Sequence, residues 1–129
     1  MKSPFLVLNT AVADRITEKT GRTVLDDTPE NEVFPYITMG ILTGRDWSDK
    51  FTPGQEVQIT VHIWSQYAGK KEVLEIGDEI LQAVTRQPPL SLAGFNAVVD
   101  GLDSHNVIMD IDGFTRHAIL TFKYLIEEA

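Results

Sequence analysis

Apolar residues recur along this chain at two different periods, and the switches between them mark out its elements. Phe5, Leu8, Val12 and Ile16 fall on one helical face, with Asp14, Arg15 and Glu18 turned the other way. Ser3 and Pro4 stand where an N-cap and a first helical residue belong, since the missing proline N–H would be unpaired there anyway. Gly21 supplies the stop, so the spacing predicts a helix from Pro4 to Thr20. A second helical stripe, Val73, Ile76, Ile80 and Val84 widened by Leu74 and Leu81, opens at Gly69-Lys70-Lys71 and runs to about Arg86. Gln87-Pro88-Pro89 ends it, because proline cannot continue a helix.

Between and after these helices the period drops to two. Gln55 to Gln66 alternates cleanly, with Val57, Ile59, Val61 and Ile63 on one side and Gln58, Thr60, His62 and Trp64 on the other. Phe34 to Leu42 reads as the strand before it, with Pro35 at its start, and Thr23–Leu25 as a short edge strand. Asp26 to Glu32 is an acidic loop. Thr43 to Gly54, with glycines, a proline and charges of both signs, is a long loop or an extended hairpin tip. In the last third, Phe95–Asp103 and Asn106–Ile111 are strand candidates, and Asp112-Gly113 is a tight hairpin turn. Thr115–Ile126 closes the chain as a strand, with His117, Ile119, Thr121, Lys123 and Leu125 alternating against Arg116, Ala118, Leu120, Phe122 and Tyr124.

The order is therefore α–β–β–α–β–β. Hairpin-linked strands favour an antiparallel or mixed sheet, and two amphipathic helices can cover one face of it, giving a two-layer α+β fold. The uncovered face presents Gln58, Thr60, His62 and Trp64. With 129 residues, no internal repeat and no linker, the expectation is a single domain over residues 1–129.

Composition narrows the function classes. The absence of cysteine removes disulfides, thiolate nucleophiles and the usual structural zinc sites. A formal charge of -8 argues against holding nucleic acid by phosphate neutralisation, which needs clustered Lys and Arg. Phe5-Leu6-Val7-Leu8 is too short for a signal peptide's apolar region or a membrane span, so the chain is expected to fold in a cytoplasm and to engage no membrane.

No residue pattern assembles into an active site, and no catalytic, cofactor-binding or metal-ligating residue is assigned. His62, His105 and His117 lie in separate segments without metal-ligand spacing, and read as strand-surface or interface residues. Asp110-Ile111-Asp112-Gly113 resembles the middle of a calcium loop, but in that register Ile108 and Ile119 would occupy ligand positions, so it reads as an acidic turn. Gly69-Lys70-Lys71 is a solvated helix start rather than an anion cradle, and Ser48 beside Asp49 is turn chemistry. The tryptophans say more. Trp47 sits in the charged stretch Gly44-Arg45-Asp46-Trp47-Ser48-Asp49-Lys50, where it either folds back on the sheet or anchors a protein contact. Trp64 points away from the aliphatic face of its strand. Arg45, Asp46, Trp47, Asp49, Lys50 and Trp64 are the candidate contact residues, with strand edges and the second helix supplying an opposite patch.

Several of these segments carry a family resemblance. Phe34-Pro35-Tyr36-Ile37-Thr38-Met39-Gly40, then Asp46-Trp47-Ser48-Asp49-Lys50 with Pro53-Gly54, then His62-Ile63-Trp64-Ser65 and Gly69-Lys70-Lys71-Glu72 resemble the tail-completion proteins of long-tailed bacteriophages and prophages. Asp110–Gly113 followed by Thr115-Arg116-His117-Ala118 continues the pattern, which spans Pro4 to Tyr124 in order. The resemblance implies a non-enzymatic, cofactor-free tail terminator or tail-to-head joining subunit of the virion. Such a subunit forms a hexameric ring on the head-proximal end of the tail tube, and can stay monomeric until the tube templates it. It stops tube growth, meets the tail tube protein and a head-completion (stopper) protein of the neck, and lets DNA pass without specific binding. A head-side stopper or other neck component, and a small α+β enzyme, are the competing readings.

Overall fold

In a computed structural model of the chain, the described residues are 1–31, 33–85 and 88–129, the side chain of Val99 apart. The expected end of the second helix at Arg86-Gln87, and the end of the acidic loop at Glu32, lie outside them.

The elements follow the predicted order: α1 (Phe5–Thr20), β1 (Val24–Leu25), β2 (Tyr36–Asp46), β3 (Gly54–Ser65), α2 (Lys71–Thr85), β4 (Phe95–Met109) and β5 (Arg116–Glu128). The strands form one sheet in the order β1-β2-β3-β5-β4. β1 runs parallel to β2, and every other pair is antiparallel, so the sheet is mixed. This is the α+β fold the alternation implies, with both helices on one face.

α1 starts one residue later than its spacing predicts. Pro4 is the cap, its carbonyl accepting the first helical bond from the Leu8 N–H at 2.9 Å. Gly21 ends the helix with φ of 73°, a left-handed conformation that costs glycine no Cβ clash. Leu8, Val12 and Ile16 from α1, and Val73, Ile76, Ile80 and Val84 from α2, are buried against Ile37, Met39, Val57, Ile59, Val61, Ile63, Leu120, Phe122, Tyr124 and Ile126. α1 lies over β1 and β2, and α2 over β3, β5 and β4. The sheet therefore has an α1/β2 flank and an α2/β4 flank.

The structure corrects four local expectations. β2 extends through Thr43–Asp46, so only Trp47–Pro53 form the hairpin tip. A bulge at Gly40 and Ile41 absorbs the slip that carries the strand so far. Phe95–Asp103 and Asn106–Ile111 are one strand, ending at Met109 and kept continuous by irregularities at Ala97/Val99 and Leu102/Ser104. The last turn is wider than a two-residue Asp112-Gly113 turn: Asp110 and Thr115 close it, and Gly113 sits at φ 81°. Finally, Leu74 does not widen the buried stripe of α2 but stands 52% exposed.

Candidate functional site

Two surfaces concentrate the side chains that the fold does not consume. They are the open face of the sheet and the pair of hairpin tips at its opposite ends.

The open face is built by the second register of β3 and β5. Because side chains alternate, Gln58, Thr60, His62 and Trp64 share a face with His117, Ile119, Thr121 and Lys123. Trp64 lies opposite His117, and their rings stack with centroids 3.6 Å apart and planes 12° apart. His62 Nδ1 and His117 Nε2 are 2.7 Å apart, one nitrogen donating and the other accepting. Tyr36 from β2 stacks on the far side of Trp64 at 6.1 Å, and Phe34 meets Tyr36 at 5.1 Å. The result is an aromatic strip crossing three strands. Burial lowers the pKa of His62. Burial, and then the neighbouring His62, hold His117 down at about 4 against a weaker upward pull from Asp110. Both rings are therefore neutral at pH 7.

Further along this face the polar groups are paired. Glu56 accepts from Arg45 at 3.2 Å and lies 3.6 Å from Lys123 Nζ, and these cations, Arg45 foremost, lower its carboxyl pKa. Gln58 donates to Asp103 at 3.3 Å.

The β2–β3 tip holds Trp47, Asp49 and Lys50 of the six candidate contact residues, with Arg45 and Asp46 at the end of β2 that leads into it. Its closure comes from short polar side chains: Ser48 Oγ donates to Asp46 and accepts from the Gly54 N–H at 3.0 Å, while Asp49 accepts from the Phe51 and Thr52 N–H groups at 2.8 and 2.6 Å. Those two backbone bonds lower the Asp49 pKa. Ser48 and Asp49 thus perform the turn chemistry their sequence implies. Trp47 folds back, its N–H donating to the Gly54 carbonyl and its ring lying close over Gly54, yet it stays 40% exposed. Phe51, 88% exposed with Lys50 Nζ 6.0 Å from its ring centroid, is a displayed aromatic side chain that the apolar pattern of the sequence does not single out. Trp64 is not part of this group. It belongs to the opposite end of β3, about 30 Å away at 3.3 Å per residue.

The β4–β5 tip mirrors it. Ile108, Met109, Ile111 and Phe114 are all exposed, Ile111 completely. Beneath them the turn is firmly tied. Asp112 accepts from the Phe114 and Thr115 N–H groups at 2.9 and 2.8 Å and from the Thr115 hydroxyl, and the Thr115 hydroxyl leads the forces that lower its pKa. Asp110 accepts from the Ile111 N–H. The carboxylates that resembled calcium ligands are engaged in holding a turn. Among the described residues, no three His, Asp or Glu side chains gather as a metal site, and no helix is long and apolar enough to cross a membrane.

Apolar side chains displayed on hydrogen-bonded hairpins at both ends of the sheet, with a stacked aromatic strip near the β4–β5 end, are the surface character of a protein that meets other proteins. The comparisons place it. The family of Tail completion protein gp17 matches residues 8–127, and the chain belongs to that family: it is a structural tail protein of a phage-type virion. A relative from Bacillus phage SPP1, the tail completion protein gp17, is 28% identical over 115 residues, covering 89% of this chain and 78% of the relative. In fold, the chain is similar to a chain of the virion of a native gene transfer agent particle, with a TM-score of 0.85, 18% identity and coverage of 98% and 99% of the two chains. It is also similar to the structure of bacteriophage SPP1 gp17, with a TM-score of 0.60, 22% identity and coverage of 92% and 88%.

Proposed function

We propose that the whole chain, residues 1–129, works as one tail-terminator domain. It forms a hexameric ring on the head-proximal end of the tail tube, ends tube elongation and presents a surface to the neck of the filled head. It performs no catalysis and needs no cofactor. The observation that carries this reading is the placement of two dissimilar contact tips at opposite ends of the sheet. Trp47 and Phe51 lie at one end, Ile111 and Phe114 at the other, some 36 Å apart along β3. A subunit with two different patches can join its neighbours head to tail, and such contacts close into a ring when the rotation allows. Two ends also suit a protein that must meet the tail tube protein on one side and a head-completion protein on the other. The -8 charge favours a channel through which DNA slides without being held, because acidic walls repel phosphate.

The test is deletion of the gene from its phage or prophage, followed by negative-stain microscopy of the induced lysate. Filled heads beside detached tails of abnormal length support termination. Leaking heads with normal tails reassign the protein to the head side, and intact infectious particles overturn the neck assignment altogether.

A further inference from the structure

We propose that His62, His117 and Trp64 are an acid-operated latch on the open face of the sheet, closed while the two histidines share at most one extra proton and open once both are charged. The device is complete in a single chain and does not depend on the ring. In the closed form one ring nitrogen donates to the other across 2.7 Å. A first proton leaves that contact intact, because an imidazolium donates and a neutral imidazole still accepts. A second proton leaves two donors and no acceptor, with like charges at hydrogen-bond distance, so the contact parts. The two protonations are thus coupled, and opening belongs to the second step.

Gly40 settles which way the parts separate. His62 already fills the notch that Gly40 leaves in β2, where even a Cβ would collide with it, and has no room to retreat that way. His117 stays with Trp64, since a cation lying on an indole face is attracted to it and the rings are already 3.6 Å apart. Opening therefore parts His62 from the His117–Trp64 stack. Both helices pack on the other face, yet Tyr36, Thr38 and His117 are buried on this one. Their cover is the strip itself: Trp64 lies opposite Tyr36 and His62 opposite Thr38, with Trp64 Nε1 3.5 Å from the Thr38 hydroxyl oxygen. Parting the latch admits water to these groups and to Trp64. Asp110, in the β4–β5 turn, is the carboxylate that reaches the pair, and it favours a charged His117 less than burial and His62 oppose one. Tyr36 and Thr38 from β2, Thr60 from β3, Ile119 from β5, and Asn106 and Ile108 from β4 face the pair and take up no charge in acid. Arg116 alternates to the other face and donates to the Phe114 carbonyl at 3.3 Å. Burial lowers both histidine pKa values, so the latch is shut at pH 7 and opens in acid.

The experiment uses the full chain with Trp47→Phe, which leaves Trp64 as its one tryptophan. Acrylamide quenching of Trp64 is measured from pH 7.5 to 4, with circular dichroism recorded at each step. The expected result is at least a twofold rise in the quenching constant while the helical signal holds. Adding His62→Gln is expected to abolish that rise, because the pair then never carries two charges. A quenching constant that stays flat until the helical signal collapses overturns the latch, and so does an equal rise in a folded His62→Gln variant. Nitrogen-15 NMR of the unsubstituted chain gives a second reading that needs no variant, following both histidine rings and the Trp64 indole N–H together. An indole signal that moves with the second protonation supports the latch, and one that moves with the first, or with neither, overturns it.

Discussion

His62 and His117 share a hydrogen bond of 2.7 Å on the open face of the sheet, with Trp64 stacked directly on His117. Neither ring can take a proton there without putting charge into a partly buried aromatic strip, and two protons would set like charges in contact. Burial lowers both pKa values, that of His117 to about 4. The unfolded chain takes up protons at both sites near the ordinary 6.5. The folded chain refuses them until lower pH, so the unfolded state binds more protons across this interval. The pair's contribution to stability is full above pH 6.5 and is lost as pH falls toward 4. Thermal melts from pH 7.5 to 4.5 are expected to show a steady fall in Tm, and His117→Gln to flatten it. An unchanged slope in the variant would locate the titration elsewhere.

Gly40 exists to admit His62. A Cβ on Gly40 would collide with the His62 imidazole at Nε2 and lie 3.1 Å from the Thr60 carbonyl oxygen. The imidazole cannot swing aside without breaking its bond to His117. Gly40→Ala is therefore expected to cost about 1–3 kcal/mol, the usual range for forcing an added methyl into a packed site. Urea melts measure the cost. The same variant should alter Trp64 fluorescence through the displaced histidines, a signal that a simple loss of strand propensity leaves untouched.

Much of this frame is readable in the sequence because burial imposes a period. Leu8, Val12 and Ile16 identify α1, and Val57 through Ile63 identify β3, since a helix or strand that buries one face must repeat its apolar residues at its own pitch. The turn chemistry of Ser48 and Asp49 is equally local. What the chain order hides is lateral. His62 and His117 meet only because β5 inserts between β3 and β4, and that sheet order is a property of the whole fold. Leu74 sits at the correct helical spacing for burial, yet it stands half exposed as part of the wall of an open cleft, which only the placement of α2 over the sheet decides. Ile111 and Phe114 carry no period at all. Their only signal is two large apolar residues in a turn where polar ones would serve.

Tyr124 is fully buried, and its hydroxyl has no hydrogen-bond partner among the described residues. Burial pushes its pKa up, so the phenol stays neutral at every physiological pH. A buried hydroxyl without a partner keeps its desolvation cost unrecovered. Tyr124→Phe removes that group while preserving the ring that packs in the core, so stability should be unchanged or rise by about 1 kcal/mol. Calorimetry decides it. A clear loss of stability would mean that an ordered water completes the hydroxyl's bonding.

The β2–β3 tip separates folding from assembly. Trp47 keeps part of its ring against Gly54, whereas Phe51 projects almost wholly into water and its ring touches little besides Lys50. The turn itself is held by Ser48 and Asp49, neither of which depends on those rings. Phe51→Ala is thus expected to shift stability by no more than about 0.5 kcal/mol, as for other exposed positions. Trp47→Ala should cost somewhat more, through lost packing on the sheet end. If this tip is a contact of the assembled tail, both variants should still fold, while Phe51→Ala lowers the yield of joined particles in a complementation assay out of proportion to its stability. A Phe51→Ala protein that melts normally and complements fully would remove Phe51 from the interface.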